Sequence, residues 1–267
     1  MAFHIIVTAK QVMDPEVPQS AFHVDKEANR VIPAQNIPPV INGFDEQAIE
    51  AALRVREALG DVTITILSMG CDFSLDVMKK PLSMGADQLV LLQDEAFENA
   101  ADSTITAQVL TRAIQKLGTF DLIIAGRQAS DWDNSQVPLG IGEILQIPVV
   151  TIGKKVEVLD GKVRVERVLP NGYEIVEAPL PALVTVSNEL GEPRYPTLRG
   201  IMAATKKRPT IWSAQEIGIG PGELQANLEL RALFIPEKHS QCEIIQGEDE
   251  ADAGRQLALK LREAKLI

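Results

Sequence analysis

One stretch carries the densest polar chemistry in the sequence: Gly126-Arg127-Gln128-Ala129-Ser130-Asp131-Trp132-Asp133-Asn134-Ser135-Gln136. It follows an apolar run, Phe120 to Ala125, and leads into a helical pattern near Val137. A loop that leaves a buried strand and opens a helix offers small side chains, free backbone N–H groups and the positive end of a helix dipole. Those features suit phosphate. In open α/β sheets, ligands bind at the carboxyl ends of the strands. The plainer alternative is a polar strand-to-helix turn, with Asn134 or Ser135 as its N-cap.

Two further strand ends should face the same crevice: Thr8-Ala9-Lys10 after a first strand and Ser68-Met69-Gly70 after a second. Asn42-Gly43-Phe44-Asp45 precedes a helix and serves either as a cap or as another wall of the site. Familiar catalytic signatures are missing. The chain has no GxxxxGK[ST] phosphate loop, no GxGxxG after its first strand and no SGGxDS loop. Gly218-Ile219-Gly220-Pro221-Gly222 lies in an irregular stretch rather than a strand-to-helix turn. Of the histidines, His4, His23 and His239, none adjoins a nucleophile motif, and His4 reads as a structural strand residue. Met69, Met78 and Met84 cluster around one expected helix and read as core. Cys71 and Cys242 stand far apart, so neither a zinc site nor a disulfide framework is expected.

The elements that must position these residues follow from periodicity. Short apolar runs predict strands at Phe3 to Thr8, Val62 to Leu67, Gln88 to Leu92 and Phe120 to Ala125. Between them, helical spacing predicts helices over Asp45 to Leu59, Phe73 to Met84 and Ser103 to Leu117, each followed by glycine. This alternation predicts a Rossmann-like parallel sheet with helices on both faces, an α/β fold. Gln11 to Ile41 is a long Pro-containing connection with weak strand signals near Val24 and Val31. Beyond Pro148, Lys155 to Leu159 and Lys162 to Val168 flank Asp160-Gly161, a hairpin turn signal, with further strands at Tyr173 to Glu177 and Ala182 to Val186. From Glu192 the chain reads as irregular, with a last helix over Glu250 to Lys265. The expected division is therefore 1–191 for the α/β domain and 192–267 for an arm too thin to form its own core.

The net charge of −11 disfavours nucleic acid as a partner. Lys206-Lys207-Arg208 is too short to reverse that, and reads as a solvated turn or a docking contact. No run of about 18 apolar residues appears, so no membrane span is expected. A cytoplasmic location is expected.

Two long motifs resemble the β subunit of electron-transfer flavoproteins. They are Gly126-Arg127-Gln128-Ala129 through Gln136, and Glu192-Pro193-Arg194-Tyr195-Pro196-Thr197-Leu198-Arg199-Gly200-Ile201-Met202-Ala203-Ala204. Lys10-Gln11-Val12, Asn42 to Asp45, Met84-Gly85-Ala86-Asp87 and Leu180-Pro181-Ala182 to Thr185 match in order and spacing, so the similarity covers nearly the whole chain. The resemblance implies a heterodimer. Its α subunit holds the redox-active FAD; its β subunit buries an adenine nucleotide, usually AMP, and sends a C-terminal arm around the α chain. Carried over by position, cofactor contacts fall on Thr8, Asn42, Gly43, Phe44, Asp45 and Met69. They continue through the loop: Gly126, Arg127, Gln128, Ala129, Ser130, Asp131, Trp132, Asp133, Asn134, Ser135, Gln136 and Val137. The family's recognition loop falls on Pro193 to Met202, with Leu198 as the anchor that enters an apolar pocket on acyl-CoA dehydrogenases. Tyr195, Ile201 and Met202 flank it. The alternative for Leu198 is internal packing. The implied partners are the α subunit, a flavin-dependent dehydrogenase and a downstream acceptor such as a quinone oxidoreductase.

Some positions depart from the family pattern. Trp132 is unusual in the nucleotide loop, where a ring either stacks near the ligand or reshapes the loop. Val168 follows Glu166-Arg167 where an acidic residue is common, which puts an ion pair there in doubt. Ala101-Asp102-Ser103-Thr104 resembles the electron-bifurcating branch, in which a second FAD replaces AMP and takes hydride from NADH. From another class, a stand-alone nucleotide sensor akin to universal stress proteins is the rival, although it has no need of a partner-wrapping arm.

Overall fold

A computed structural model describes residues 2–34, 36–97, 102–237 and 242–267. Ala101 and His239 therefore lie outside the described residues. In chain order the strands and helices are β1 (Phe3–Thr8), β2 (Gln11–Val12), β3 (His23–Asp25), β4 (Arg30–Ile32), β5 (Val40–Ile41), α1 (Gly43–Leu59), β6 (Val62–Gly70), α2 (Leu75–Met78), α3 (Lys80–Met84) and β7 (Gln88–Gln93). There follow α4 (Ser103–Leu117), β8 (Leu122–Gly126), α5 (Val137–Leu145), β9 (Val149–Leu159), β10 (Lys162–Leu169), β11 (Gly172–Pro179), β12 (Ala182–Val186), α6 (Leu198–Lys206), β13 (Thr210–Trp212) and α7 (Glu250–Glu263).

The main sheet runs β11-β10-β9-β12-β8-β1-β6-β7-β13. From β9 to β13 every neighbouring pair is parallel; β10 and β11 add an antiparallel hairpin at one edge. The chain builds outward from β1 through β6 and β7, then crosses over α4 to β8 on the other side of β1. The strand order thus reverses at β1 and β8, which opens a crevice at their carboxyl ends. Both faces of the sheet are covered, so alternate residues of one strand enter different cores. In β1, Ile5 and Val7 join the core under α1, while Ile6 joins the core under α4 and α5.

Several local expectations shift. The single helix expected over Phe73 to Met84 is two, α2 and α3, because Pro81 lacks an N–H and occupies the first turn of the second. Val24 and Val31 pair directly in the short β3–β4 hairpin. β9 starts at Val149 as a parallel neighbour of β12, then bends to pair antiparallel with β10. The bend falls at Ile152 and Gly153, where Ile152 has φ of 59° and a side chain on Gly153 would press on Val165. The stretch after Glu192 is not wholly irregular. It contains α6, which packs on α3, and β13, which extends the sheet beyond β7.

The chain divides into two compact units, Met1–Leu233 and Phe234–Ile267. The second carries α7, and none of its described residues is buried. Among the described residues no helix is long and apolar enough to cross a membrane. Likewise among them, no cluster of His, Cys, Asp or Glu is placed to hold a metal ion.

Candidate functional site

At the strand switch, at the carboxyl ends of β1, β6 and β8, lies a cleft. β1 contributes Thr8 and the Ala9-Lys10 that follows, and β6 contributes Leu67 and Met69. Gly126, Gln128, Ala129, Trp132, Asn134, Ser135 and Gln136 form the loop side, continued by Val137 and Pro138 at the start of α5. Ser103, Thr106 and Leu110 of α4 close the opposite wall, and Asp45 of α1 sits at the base. The cleft thus brings together Thr8, Asp45, Met69, Gly126, Gln128, Ala129, Trp132, Asn134, Ser135, Gln136 and Val137.

The chemistry of the lining is split. Leu67, Met69 and Leu110 present apolar surface for a planar base. The Lys10 ammonium stands at the rim, 2.6 Å from the Asp131 carboxylate. Ser135 has φ of 55° and Gln136 follows in right-handed conformation. A left-handed residue next to a right-handed one turns successive N–H groups to one side and makes an anion-binding concavity. The cap of α5 is therefore Gln136, with no side-chain bond, and neither Asn134 nor Ser135. Asn134 instead donates from Nδ2 to Ser103 Oγ at 3.2 Å, joining the loop to α4.

Asn42 and Asp45 hold the two halves of the site in place. Asn42 is fully buried and outside the cleft lining. Its Nδ2 donates to Gln128 O at 2.8 Å, and its Oδ1 accepts from Ser130 N at 3.2 Å. Asp45 accepts from Lys10 N at 2.8 Å and Gly126 N at 3.2 Å, so one carboxyl joins the ends of β1 and β8 to α1. Burial pushes the Asp45 carboxyl up to about 7, although the Lys10 and Gly126 N–H groups pull the other way. Gly126 must be glycine. A side chain there would collide with Asp45 Oδ1 and lie 2.7 Å from the Phe44 carbonyl carbon.

The remaining candidates lie around the cleft rather than in its wall. Gly43 opens α1. Phe44 lies under the Arg127 guanidinium, 4.7 Å from ring centroid to Cζ, so that guanidinium engages α1. Asp133 accepts from Gln128 Nε2 at 2.6 Å and braces the loop. Ser130 and Asp131 line a second, larger cleft with the β2–β4 region and residues 226–230 and 233. Trp132 borders both clefts. Lys10, Ser103 and Thr106 are lining residues that the loop motif does not reveal. Position after a strand marked Lys10, and the resemblance of the segment around Asp102-Ser103-Thr104 to the bifurcating branch marked Ser103; Asp102 caps α4 by accepting from Thr104 N at 2.8 Å.

A separate surface lies at α6. Tyr195 is 90% exposed, Leu198 81% and Met202 66%, with Ile201 also exposed. Leu198 does not pack internally. Of the neighbouring cations, Lys207 is committed within the fold, donating to Ala86 O and Asp87 O. Glu166 and Arg167 keep partners despite Val168: Lys154 lies 3.4 Å from Glu166, and Glu174 lies 2.8 Å from Arg167. His4 is structural, bridging Thr119 O and Thr65 Oγ1.

The family profile described as Electron transfer flavoprotein domain matches residues 30–217. The chain is 34% identical to the Caffeyl-CoA reductase-Etf complex subunit CarD of Acetobacterium woodii, over 98% of this chain and 99% of that one. It is 36% identical to the electron transfer flavoprotein subunit beta of Megasphaera elsdenii, over 92% of each. Its identity to the corresponding subunit of Thermoanaerobacterium thermosaccharolyticum is 40%, over 83% of this chain and 82% of that one.

Proposed function

We propose that this chain, which belongs to the electron transfer flavoprotein β-subunit family, is the nucleotide-holding and dehydrogenase-docking half of an electron carrier. Subunits of this family partner with an α subunit. Electrons pass from an acyl-CoA-type dehydrogenase to FAD held by, or shared with, that α subunit, and then to a downstream acceptor such as a quinone oxidoreductase. FAD, when bound, supplies the redox chemistry; the protein supplies position and electrostatics.

The observation that carries this proposal is the pairing, on one chain, of a phosphate-suited cleft with a fixed, exposed apolar segment. In the cleft, Lys10 and the Ser135-Gln136 turn that opens α5 suit the phosphate of AMP, and Leu67, Met69 and Leu110 suit its base. At the surface, Leu198 serves as the anchor. Tyr195, Ile201 and Met202 widen the apolar contact, and a partner that covers them gains the hydrophobic area. The unit Phe234–Ile267, which buries none of its described residues, supplies the arm for the α subunit.

A second reading places a second FAD in this chain and makes NADH the donor, as in a bifurcating carrier. It is favoured by the second cleft, which adjoins the first across Trp132 and offers room beyond an AMP, and by the Ser103 and Thr106 hydroxyls in the first.

Docking is tested by transfer from a reduced acyl-CoA dehydrogenase through the heterodimer to a dye. Leu198→Ala should slow transfer by about tenfold or more, as expected for loss of a central apolar anchor, with flavin content intact. Wild-type transfer in that variant removes Leu198 from the docking role.

A further inference from the structure

The segment before α6 is held from behind by a carboxylate of α1. Residues 191–197 have no regular secondary structure, so no ladder of backbone bonds sets their shape. On α1, Glu50 is only 4% exposed, on a helix whose neighbouring buried residues are Ile49, Ala51 and Leu53. Four donors converge on its carboxylate. Arg194 gives its backbone N at 3.1 Å, Nε at 2.8 Å and Nη2 at 3.1 Å, and Arg54 gives Nε at 2.8 Å. Arg194 also donates through Nη1 to Glu57, and Arg54 through Nη1 to Leu190 O at 2.9 Å. Burial acts to raise the Glu50 carboxyl, but the hydrogen bonds from Arg194 and Arg54 outweigh it and hold the group below the ordinary carboxylate range.

The far end of the segment is fixed as well. Thr197 Oγ1 accepts from Gly200 N at 3.0 Å and caps α6. Gly200 lies so close to Ser83 O that a side chain has no room there. Between these two attachments stand Tyr195 and Leu198, both almost wholly exposed. A connecting loop needs no outward-facing apolar side chains. The Arg194 side chain remains 34% exposed, but its backbone and guanidinium both bond the buried Glu50 carboxylate, and that bidentate geometry fixes how the loop lies on α1.

We propose that Glu50 and Arg194 are positioning residues for docking: they lock residues 190–197 against α1 so that Tyr195 and Leu198 are presented in one arrangement before the dehydrogenase arrives. Such preorganisation lowers the ordering cost of association. This role rests on the docking role proposed for Leu198.

The test uses the intact α/β heterodimer and a purified short-chain acyl-CoA dehydrogenase reduced with butyryl-CoA, with a dye as terminal acceptor. Arg194→Ala should raise the KM for the heterodimer about tenfold while kcat and bound nucleotide stay at wild-type levels. Glu50→Gln, which keeps the side chain's volume, should raise KM in the same direction. In the free heterodimer, Arg194→Ala should also speed amide hydrogen exchange at residues 195–199. The double variant Arg194→Ala/Leu198→Ala should be no worse than Leu198→Ala within about twofold, because both act on one contact. If Leu198→Ala raises KM while Arg194→Ala and Glu50→Gln leave it unchanged, the positioning role is overturned and docking by Leu198 stands. A loss of kcat and nucleotide together, with KM unmoved, also overturns it in favour of a purely structural role. If Leu198→Ala itself leaves KM unchanged, the docking role fails and positioning fails with it.

Discussion

Asn42 makes no wall of the cleft, yet it sets the loop that does. Its amide satisfies both Gln128 O and Ser130 N, and Asn42→Ala leaves that half-buried carbonyl and N–H without this partner. The expected cost is about 1–3 kcal/mol of stability, with nucleotide affinity weakened about tenfold, read by titration calorimetry on the heterodimer. Asp45 gives a sharper signature. Its folded value, about 7, lies above the ordinary 3.8, so the folded state binds the proton more tightly. Its contribution to stability is full below pH 4 and is lost as pH rises toward 7. The stability difference between wild type and Asp45→Asn should therefore shift across pH 4 to 7, with wild type relatively more stable at the acid end. Urea denaturation at the two ends checks this, and a pH-independent difference contradicts it. The sequence showed Asn42 and Asp45 as a cap or a wall. Their action at a distance, on residues 86 and 81 positions away, is a tertiary fact that no local spacing encodes.

At the scale of elements, α1 is the strut of the molecule. Its N-terminal end holds residues 126–130 through Asn42 and Asp45, and its middle holds Arg194 through Glu50. Its helical period was plain in the sequence, as were β1, β6, β7 and β8, because buried parallel strands are continuous apolar runs. α6 and β13 were not legible. Pro193, Pro196 and Pro209 flank them and read as breakers, and the larger apolar residues of α6 face outward, leaving Ala204 as its buried residue. The α2–α3 break was missed because the apolar spacing continues across it while Pro81 restarts the helix. Gly200→Ala tests the seating of α6 on α3. The added methyl meets Ser83 O, so the helix must shift, at a cost of about 1–3 kcal/mol. A lowered urea midpoint together with slower dehydrogenase transfer is the expected pair of results. An unchanged midpoint shows that α6 can move without cost.

Taken whole, the molecule is an α/β scaffold whose exposed surfaces point to other chains. The unit Met1–Leu233 carries its own two-sided core; the unit Phe234–Ile267 has none among its described residues. On the proposed function, the cleft at the strand switch holds a nucleotide in a chain that works beside a flavin-bearing α subunit. The direct measurement is to co-purify the two chains, release the bound nucleotides and count them by chromatography. One AMP and one FAD per heterodimer is the predicted result. Two FADs and no AMP would move the assignment to the bifurcating carrier, and a stable lone chain holding ATP without flavin would contradict the account.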